Sequence, residues 1–284
     1  MKIKIYIVTY KNSIDLNNNL KSLFSSNLNG KNLKINIINN HSDFHLSNKY
    51  INRVNILHNT LRPDFSTGHL SRNWNQAIIN GFKDLNNPDC DILIHCQDDI
   101  LWSKDWLSKL IEIHKKYTFF TGQAGDAICS YTPEAVKNIG LWDERFCSIG
   151  FHEMEYFTRA YLYNGNKSTI NAGTNKHNIL HDIQQYFPYR PNRNEIREKE
   201  HVRSSIFHTL NWKLLTDKWF DNTPNIEPKD YWNTFKKIGR KHSKLKNYLT
   251  YPYFEKDIYN LKEKNYLTIN FSQKEGLKLS GAGK

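Results

Sequence analysis

An α/β fold built on a largely parallel sheet is predicted, and three observations predict it. Short apolar runs alternate with stretches of helical spacing through the first half of the chain; most of these runs close on small polar side chains; and one of them, Ile92 to Leu101, closes on the adjacent acids Asp98 and Asp99. At 284 residues the chain is long enough to bury a sizeable core. Open α/β sheets bind ligands beyond the carboxyl ends of their strands, so an acid pair there marks a place for chemistry, and hard oxygen donors suit Mg or Mn. The same acids also fit a plain role as caps of the helix expected over 103–116.

The elements follow in order. Lys2 to Val8 alternates and then turns continuously apolar, a first strand with the polar tip Thr9-Tyr10-Lys11. Asn12 to Ser25 carries Ile14, Leu16, Leu20, Leu23 and Phe24 near helical spacing. Leu33 to Ile38 is a second strand ending in Asn39-Asn40-His41-Ser42-Asp43, short polar side chains that suit a sharp turn able to hold a nucleotide. Val54 to Leu57 is a short third strand. Ser71 then stands as a cap for the next helix, and Arg72 near its start offers a guanidinium beside backbone amides that favour a diphosphate. An ordinary exposed arginine fits equally. After the acid-tipped strand, Gly125 to Tyr131 is expected as a strand, Pro133 to Ile139 as a helix capped by Thr132, and Phe151 to Ala160 as a helix with Glu153 and Glu155 near its start. Acids in that position are also explained by the helix dipole alone. Lys167 to Ala172 is a further strand, and His177 and His181 stand at i, i+4.

Charge is unevenly placed. Residues 1–184 carry 20 basic and 17 acidic side chains, whereas residues 185–284 carry 20 and 11. From Gln185 onward prolines punctuate segments rich in aromatics and lysine, with helices expected around Trp212 to Phe220 and Tyr231 to Ile238. The expected organisation is a catalytic unit over 1–184 and a basic, aromatic-rich, mainly helical extension over 185–284 packed on it. Cys90, Cys96, Cys129 and Cys147 show no zinc-type spacing and fit free thiols in a reducing compartment. The short charged start is no signal peptide and no run approaches membrane-span length, so the expected setting is cytoplasmic, with peripheral membrane contact open to the basic region.

Taken together these segments resemble glycosyltransferases of the GT-A fold, family 2 and its rhamnosyltransferase-like relatives, over roughly residues 1–184. Thr9 and Tyr10 match the end of that family's first strand. Ile38-Asn39-Asn40-His41-Ser42 is similar to its V-D-N-x-S pattern, with Asn39 where an aspartate is usual, and Ser71-Arg72-Asn73 resembles its A-R-N stretch. Gln97-Asp98-Asp99 resembles the D-x-D motif with its first aspartate replaced. Gly140 to Phe146 resembles a G-x-F-D-E-x-F loop, and Phe151 to Tyr156 resembles F-E-D-V-E-L, followed by Arg159. Asp217-Lys218-Trp219 is similar to a K-W segment after the catalytic core.

The resemblance implies an α/β, GT-A (Rossmann-like) fold and transfer of a sugar from a nucleotide diphosphate donor, UDP by preference, to a hydroxyl of a glycan, inverting and metal-assisted. It implies nucleotide contacts at Thr9, Tyr10, Asn39, Asn40, Arg72, Asn73 and Asp98. A Mn or Mg ion is expected on Asp99, with Asp98 and His181 and with His177 as the rival histidine. Glu153 is implied as general base with Glu155 as its alternate, and Trp142 and Asp143 as lining for sugar and acceptor. A sugar-1-phosphate nucleotidyltransferase is disfavoured because the first strand lacks a glycine-rich phosphate loop. A non-enzymatic polyanion or membrane-surface binder rests on residues 185–284 alone, and nucleic acid is disfavoured as a partner.

Overall fold

The computed structural model describes residues 1–28, 30, 32–59, 70–122, 125–146, 150–170, 205–220, 226–238, 269–272 and 276–279. In chain order its elements are β1 (Lys2–Thr9), α1 (Ser13–Ser25), β2 (Asn32–Asn39), α2 (Asn48–Ile51), β3 (Asn55–His58), α3 (Leu70–Phe82), β4 (Ile92–Gln97), α4 (Trp106–Lys116), β5 (Phe119–Thr121), β6 (Ile128–Tyr131), α5 (Pro133–Ile139), α6 (Phe151–Arg159) and β7 (Ser168–Thr169). Beyond these lie α7 (Ser205–Trp219), α8 (Tyr231–Ile238) and a hairpin of β8 (Ile269–Ser272) with β9 (Gly276–Leu279).

Strands one to seven form a single sheet in the order β3-β2-β1-β4-β6-β5-β7. β1 is central and buried from Ile3 to Thr9 because helices cover both faces. Its odd positions, Ile3, Ile5 and Ile7, pack with Leu16, Leu20 and Leu23 of α1 and with Trp106, Leu107 and Leu110 of α4. Its even positions Tyr6 and Val8 pack with Trp74, Ala77 and Ile78 of α3, Ala135, Val136 and Ile139 of α5, and Tyr156 of α6. A period of two on the strand thus feeds two separate apolar layers. Among the described residues no helix is long and apolar enough to cross a membrane. Cys90, Cys96 and Cys129 are buried free thiols.

The α/β, Rossmann-like class is as expected, with three corrections. The sheet is mixed, because β6 runs antiparallel to both β4 and β5. The stretch expected as one strand begins with a tight 3-10 turn, Gly125–Ala127, and becomes strand only at Ile128. β5, only three residues long, was not expected at all. α5 is capped as expected, Thr132 Oγ1 accepting from the Ala135 amide at 3.4 Å. Ser71, by contrast, lies inside α3, its Oγ buried with no hydrogen-bond partner among the described residues. The C-terminal helices α7 and α8 pack against α6 through Phe151, Leu215, Trp219, Phe220, Tyr231 and Phe235. The expected boundary at residue 184, together with Cys147, His177 and His181, lies outside the described residues.

α3 approaches β4 closely because Gly81 has no side chain. A Cβ there would fall 1.8 Å from Leu93 Cδ1, and Leu93 is fully buried. Lys4 Nζ also donates to the Gly81 carbonyl at 2.7 Å and pairs with Asp89 at 2.7 Å, fixing the end of α3 against β1. Gly81→Ala is therefore expected to destabilise the protein by about 1–3 kcal/mol through overpacking, seen as a lower Tm in calorimetry; an unchanged Tm would show that Leu93 relocates at no cost.

Candidate active site at the carboxyl edge of the sheet

From β1 the chain passes to β2 and β3 on one side, then returns to β4 on the other. In an open α/β sheet the crevice at such a reversal is the ligand site. The register Val8↔Gln97 and Thr9↔Asn39 brings the ends of β1, β2 and β4 level there. Thr9 Oγ1 donates to Asp98 Oδ2 at 2.7 Å, and the Asn40 amide donates to the Thr9 carbonyl at 3.1 Å. Asn39 is buried and braces the turn, its Nδ2 donating to the His41 carbonyl at 2.6 Å and lying 3.1 Å from His58 Nδ1. Tyr10 meets His41 edge to face at 5.4 Å. Thr9, Tyr10, Asn39, Asn40 and Asp98 are thus brought together. Asp99 is buried at the next position and lines a cavity of about 420 Å³ with Asp15, Lys21 and Ser22 of α1. Neither acid caps α4, whose cap position is Asp105.

Beside this crevice stands a second group of acids. The antiparallel register Cys96↔Ile128 sets the start of β6 next to the end of β4. Asp126, in the turn before β6, is buried and accepts at Oδ2 from Trp74 Nε1 at 2.8 Å, with His152 Nε2 2.7 Å from the same oxygen. Gln97 Nε2 reaches Asp126 Oδ1 at 3.4 Å. Glu153, in the first turn of α6, is half-buried and hydrogen-bonds the Asp126 carboxyl. Ligand-type atoms of Asp126, His152 and Glu153 lie within 4.8 Å of one another, two carboxylates and an imidazole, which is donor chemistry of the kind a divalent metal takes. These atoms are closed on each other by hydrogen bonds. Burial, then the neighbouring Asp126 charge, push the Glu153 carboxyl well above the usual range. For Asp126 burial acts in the same direction, but the charge and hydrogen bond of His152, with the bonds from Glu153 and Trp74, outweigh it and hold the group low.

The other residues of the helix start and the preceding loop are scaffold. Glu155 is fully buried and takes Arg159 bidentately, Nε to Oε1 at 2.9 Å and Nη2 to Oε2 at 2.7 Å, with Lys218 of α7 2.8 Å from Oε1. Lys218 also meets Asp143 at 2.6 Å, and Arg145 pairs with the same carboxylate. Arg159 donates further to the carbonyls of Ile139 and Leu141 at 2.9 and 2.6 Å. The structure places Glu155, expected as an alternate base, inside this network instead. Trp142 and Asp143, expected to line a pocket, are buried too. Trp142 stacks on Tyr156 at 4.1 Å and donates to Tyr131, and Asp143 is the counter-charge of Lys218. Burial alone would raise Asp143, but Arg145 and Lys218 outweigh it and hold its carboxyl far below the usual range.

Arg72, half exposed, pairs with Glu144 at 3.2 Å, and Asn75 ties Glu144 to the Trp142 backbone. Asn73 is buried in the same turn of α3. Asp126, His152 and Trp74 were given no role from sequence, and Lys218 entered only within the K-W resemblance. The one available signal was an acid set against a glycine in the middle of an apolar run.

No protein-family model and no curated protein matches the chain. Solved structures do match. TarS 1–349 of S. aureus aligns at 13% identity over 57% of this chain and 56% of its own, TM-score 0.42, and in complex with UDP at 13% over 99% and 96%, TM-score 0.48. The mannosyltransferase PcManGT from Pyrobaculum calidifontis, in complex with GDP-Man and Mn2+, aligns at 10% over 59% and 53%, TM-score 0.41. Glucosyl-3-phosphoglycerate synthase from Mycobacterium tuberculosis, in complex with Mn2+, UDP and glucosyl-3-phosphoglycerate, aligns at 9% over 72% and 81%, TM-score 0.45. In the 57% match to TarS 1–349 and in the match to PcManGT the chain spans just over half of the other chain.

The buried network separates the two glutamates experimentally. Glu155→Gln leaves Lys218 and Arg159 short of a counter-charge and is expected to cost about 3 kcal/mol, lowering the Tm. A depressed carboxyl pKa contributes stability that is present above its unfolded value, about 3.9, and lost as pH falls through the folded value. The Tm gap between wild type and Lys218→Met should therefore be widest at neutral pH and narrow progressively below about pH 4, where Asp143 of the unfolded chain takes up a proton while the folded carboxyl stays ionised until lower pH; a gap independent of pH would deny Asp143 this role.

Proposed function

We propose that the chain transfers a sugar from a nucleotide diphosphate donor, a UDP-sugar by preference, to a hydroxyl of a glycan acceptor, with inversion at the anomeric carbon and Glu153 as general base. One observation carries the reading. At the reversal point of the sheet Thr9 is hydrogen-bonded to Asp98, and the Asp126–Glu153 carboxyl pair stands on the adjoining edge, so a donor site and a proton acceptor share one crevice. Asp98 and Asp99 offer hard, anionic oxygens at the strand end, a set that fits a divalent ion, and they are the residues to which we assign it. Such an ion, when bound, supplies charge neutralisation for the leaving diphosphate.

The remaining roles belong to the chain itself. The turn braced by Asn39 and the Asn40 backbone forms the wall for base and ribose. Arg72, at the start of α3 and half exposed, adds a guanidinium where the helix amides favour phosphate. Burial and the neighbouring Asp126 charge raise the Glu153 pKa, which strengthens its ionised form as a proton acceptor. Lys236 and Lys237 at the end of α8 begin the basic region to which we assign the acceptor or an anionic membrane surface.

Calorimetric titration tests the donor site. Of UDP, UDP-GlcNAc and GDP-mannose, one is expected to bind in a Mn-dependent way and to bind at least about tenfold more weakly to Asp98→Ala or Asp99→Ala, a loss of about 1.4 kcal/mol. No nucleotide binding by the wild type would overturn the transferase reading. For the base, Glu153→Gln should lower kcat by roughly 100- to 10,000-fold with donor affinity and Tm close to wild type; full turnover in that variant would remove Glu153 from the mechanism.

A further inference from the structure

Asp126, His152 and Glu153 bring two carboxyls and an imidazole to one spot, their ligand-type atoms all within 4.8 Å of one another. Among the described residues neither acid pairs with a lysine or arginine, whereas Asp143 and Glu155 are each held by cations. Two carboxyls set so near each other need a proton or a cation among them. Three features favour a cation. Asp126 is oriented by outer hydrogen bonds, Trp74 Nε1 to Oδ2 at 2.8 Å and Gln97 Nε2 to Oδ1 at 3.4 Å, and Trp74 is itself stacked on His95 at 3.9 Å. Bonds of this kind fix the carboxylate of a metal site. Gly125 keeps the ground beside Glu153 clear, since at φ +65° a Cβ on it would fall 2.6 Å from Glu153 Oε2. Asp126 and His152 are buried and Glu153 is half-buried, so the set opens to solvent at Glu153 and an ion has a way in.

We propose that Asp126, His152 and Glu153 bind a borderline divalent ion, zinc by preference, at a site separate from Asp98 and Asp99. The imidazole makes the distinction, because nitrogen donors suit zinc whereas an oxygen-only set suits Mg or Mn. Zinc bonds of about 2.0–2.2 Å put tetrahedral ligand atoms about 3.3 Å apart. His152 Nε2 and Asp126 Oδ2, now 2.7 Å apart, open slightly to reach that spacing, and the remaining atoms close by no more than about 1.5 Å. Three protein ligands leave a fourth position to water. The consequence for turnover rests on Glu153 being the base. An ion on its carboxylate takes the lone pair that would accept the hydroxyl proton, so zinc stops transfer while the donor stays bound.

Calorimetric titration with zinc alone, on the full chain stripped by a chelator and without nucleotide, tests the site. One ion per chain is expected. Trp74→Phe, which removes no ligand, should weaken it by about 10- to 100-fold, and His152→Gln or Asp126→Asn by more than about 100-fold. Asp99→Ala should leave it unchanged. Co2+ in place of zinc should give the visible absorption of a four-coordinate site in wild type and Asp99→Ala, and none in His152→Gln. Calorimetric Tm checks that each variant folds, and Trp74→Phe carries the test where a ligand variant does not. In wild type, saturating zinc should leave Mn-dependent nucleotide affinity unchanged and lower turnover, with excess Mn failing to restore it. Three results overturn the proposal: no zinc bound by wild type, which leaves a proton alone between the carboxyls; an ion that survives both His152→Gln and Asp126→Asn; or an ion lost in Asp99→Ala, which merges the two sites. Zinc bound at the three residues with turnover intact upholds the site and removes Glu153 as the base. Failure of every form to bind nucleotide sinks the transferase reading, and the zinc titration still decides the site.

Discussion

Charges buried without water must be cancelled by one another, and that demand organises the carboxyl edge of this sheet. Asp143, Glu155, Arg159 and Lys218 are almost wholly excluded from solvent, and each touches at least one group of opposite sign. The four come from the loop after α5, from α6 and from α7. Removing any one leaves an uncompensated charge in a low-dielectric setting, so these three segments hold each other in place. Arg159 extends the hold to the end of α5 through the Ile139 and Leu141 carbonyls. The loop carrying Glu144, and through it Arg72, is thereby set against α3.

α6 then divides its residues by environment. Glu155, Tyr156 and Arg159 go inward, whereas His152 and Glu153, at its start, reach the sheet edge and Asp126. Two glutamates two positions apart receive opposite surroundings. One has two cations at hydrogen-bond distance; the other lies beside the Asp126 carboxyl and the His152 imidazole. Surroundings of this kind decide which acid is held as a fixed anion and which exchanges protons. The aromatic stack of Trp74 on His95 and Trp142 on Tyr156 forms the wall behind them, keeping the acids' partners at fixed distances.

Much of this was legible in the residues. β1 and β4 are near-continuous apolar runs because both faces are buried, and α5 announces itself through Thr132 and Pro133. What was not legible has physical reasons. Strand direction is decided by long-range pairing, so nothing local to Ile128–Tyr131 marks it as reversed. β5 is too short for a period to emerge. The burial of Glu155 depends on Lys218, whose partnership no spacing reveals, although the i, i+4 placing of Glu155 and Arg159 hinted at an ion pair. Trp142 and Asp143 sit in a loop-like stretch, and only the packing of α3, α6 and α7 around it takes them out of reach of solvent. Asp126 is hidden by sitting in an apolar run, where a turn was indistinguishable from strand.

Lys218 lies 75 residues after Asp143 in the chain. During synthesis the α/β sheet can be complete while the loop at 143 and the start of α6 still lack their counter-charge. That edge therefore completes its charge pairing last, and only when the end of α7 has left the ribosome. A nascent or shortened chain lacking that lysine would keep its central strands and yet have an edge that water must enter to solvate Asp143 and Glu155. The end of α7 is thus the last piece of the charge network to be made, and the loop at 143 and α6 depend on it.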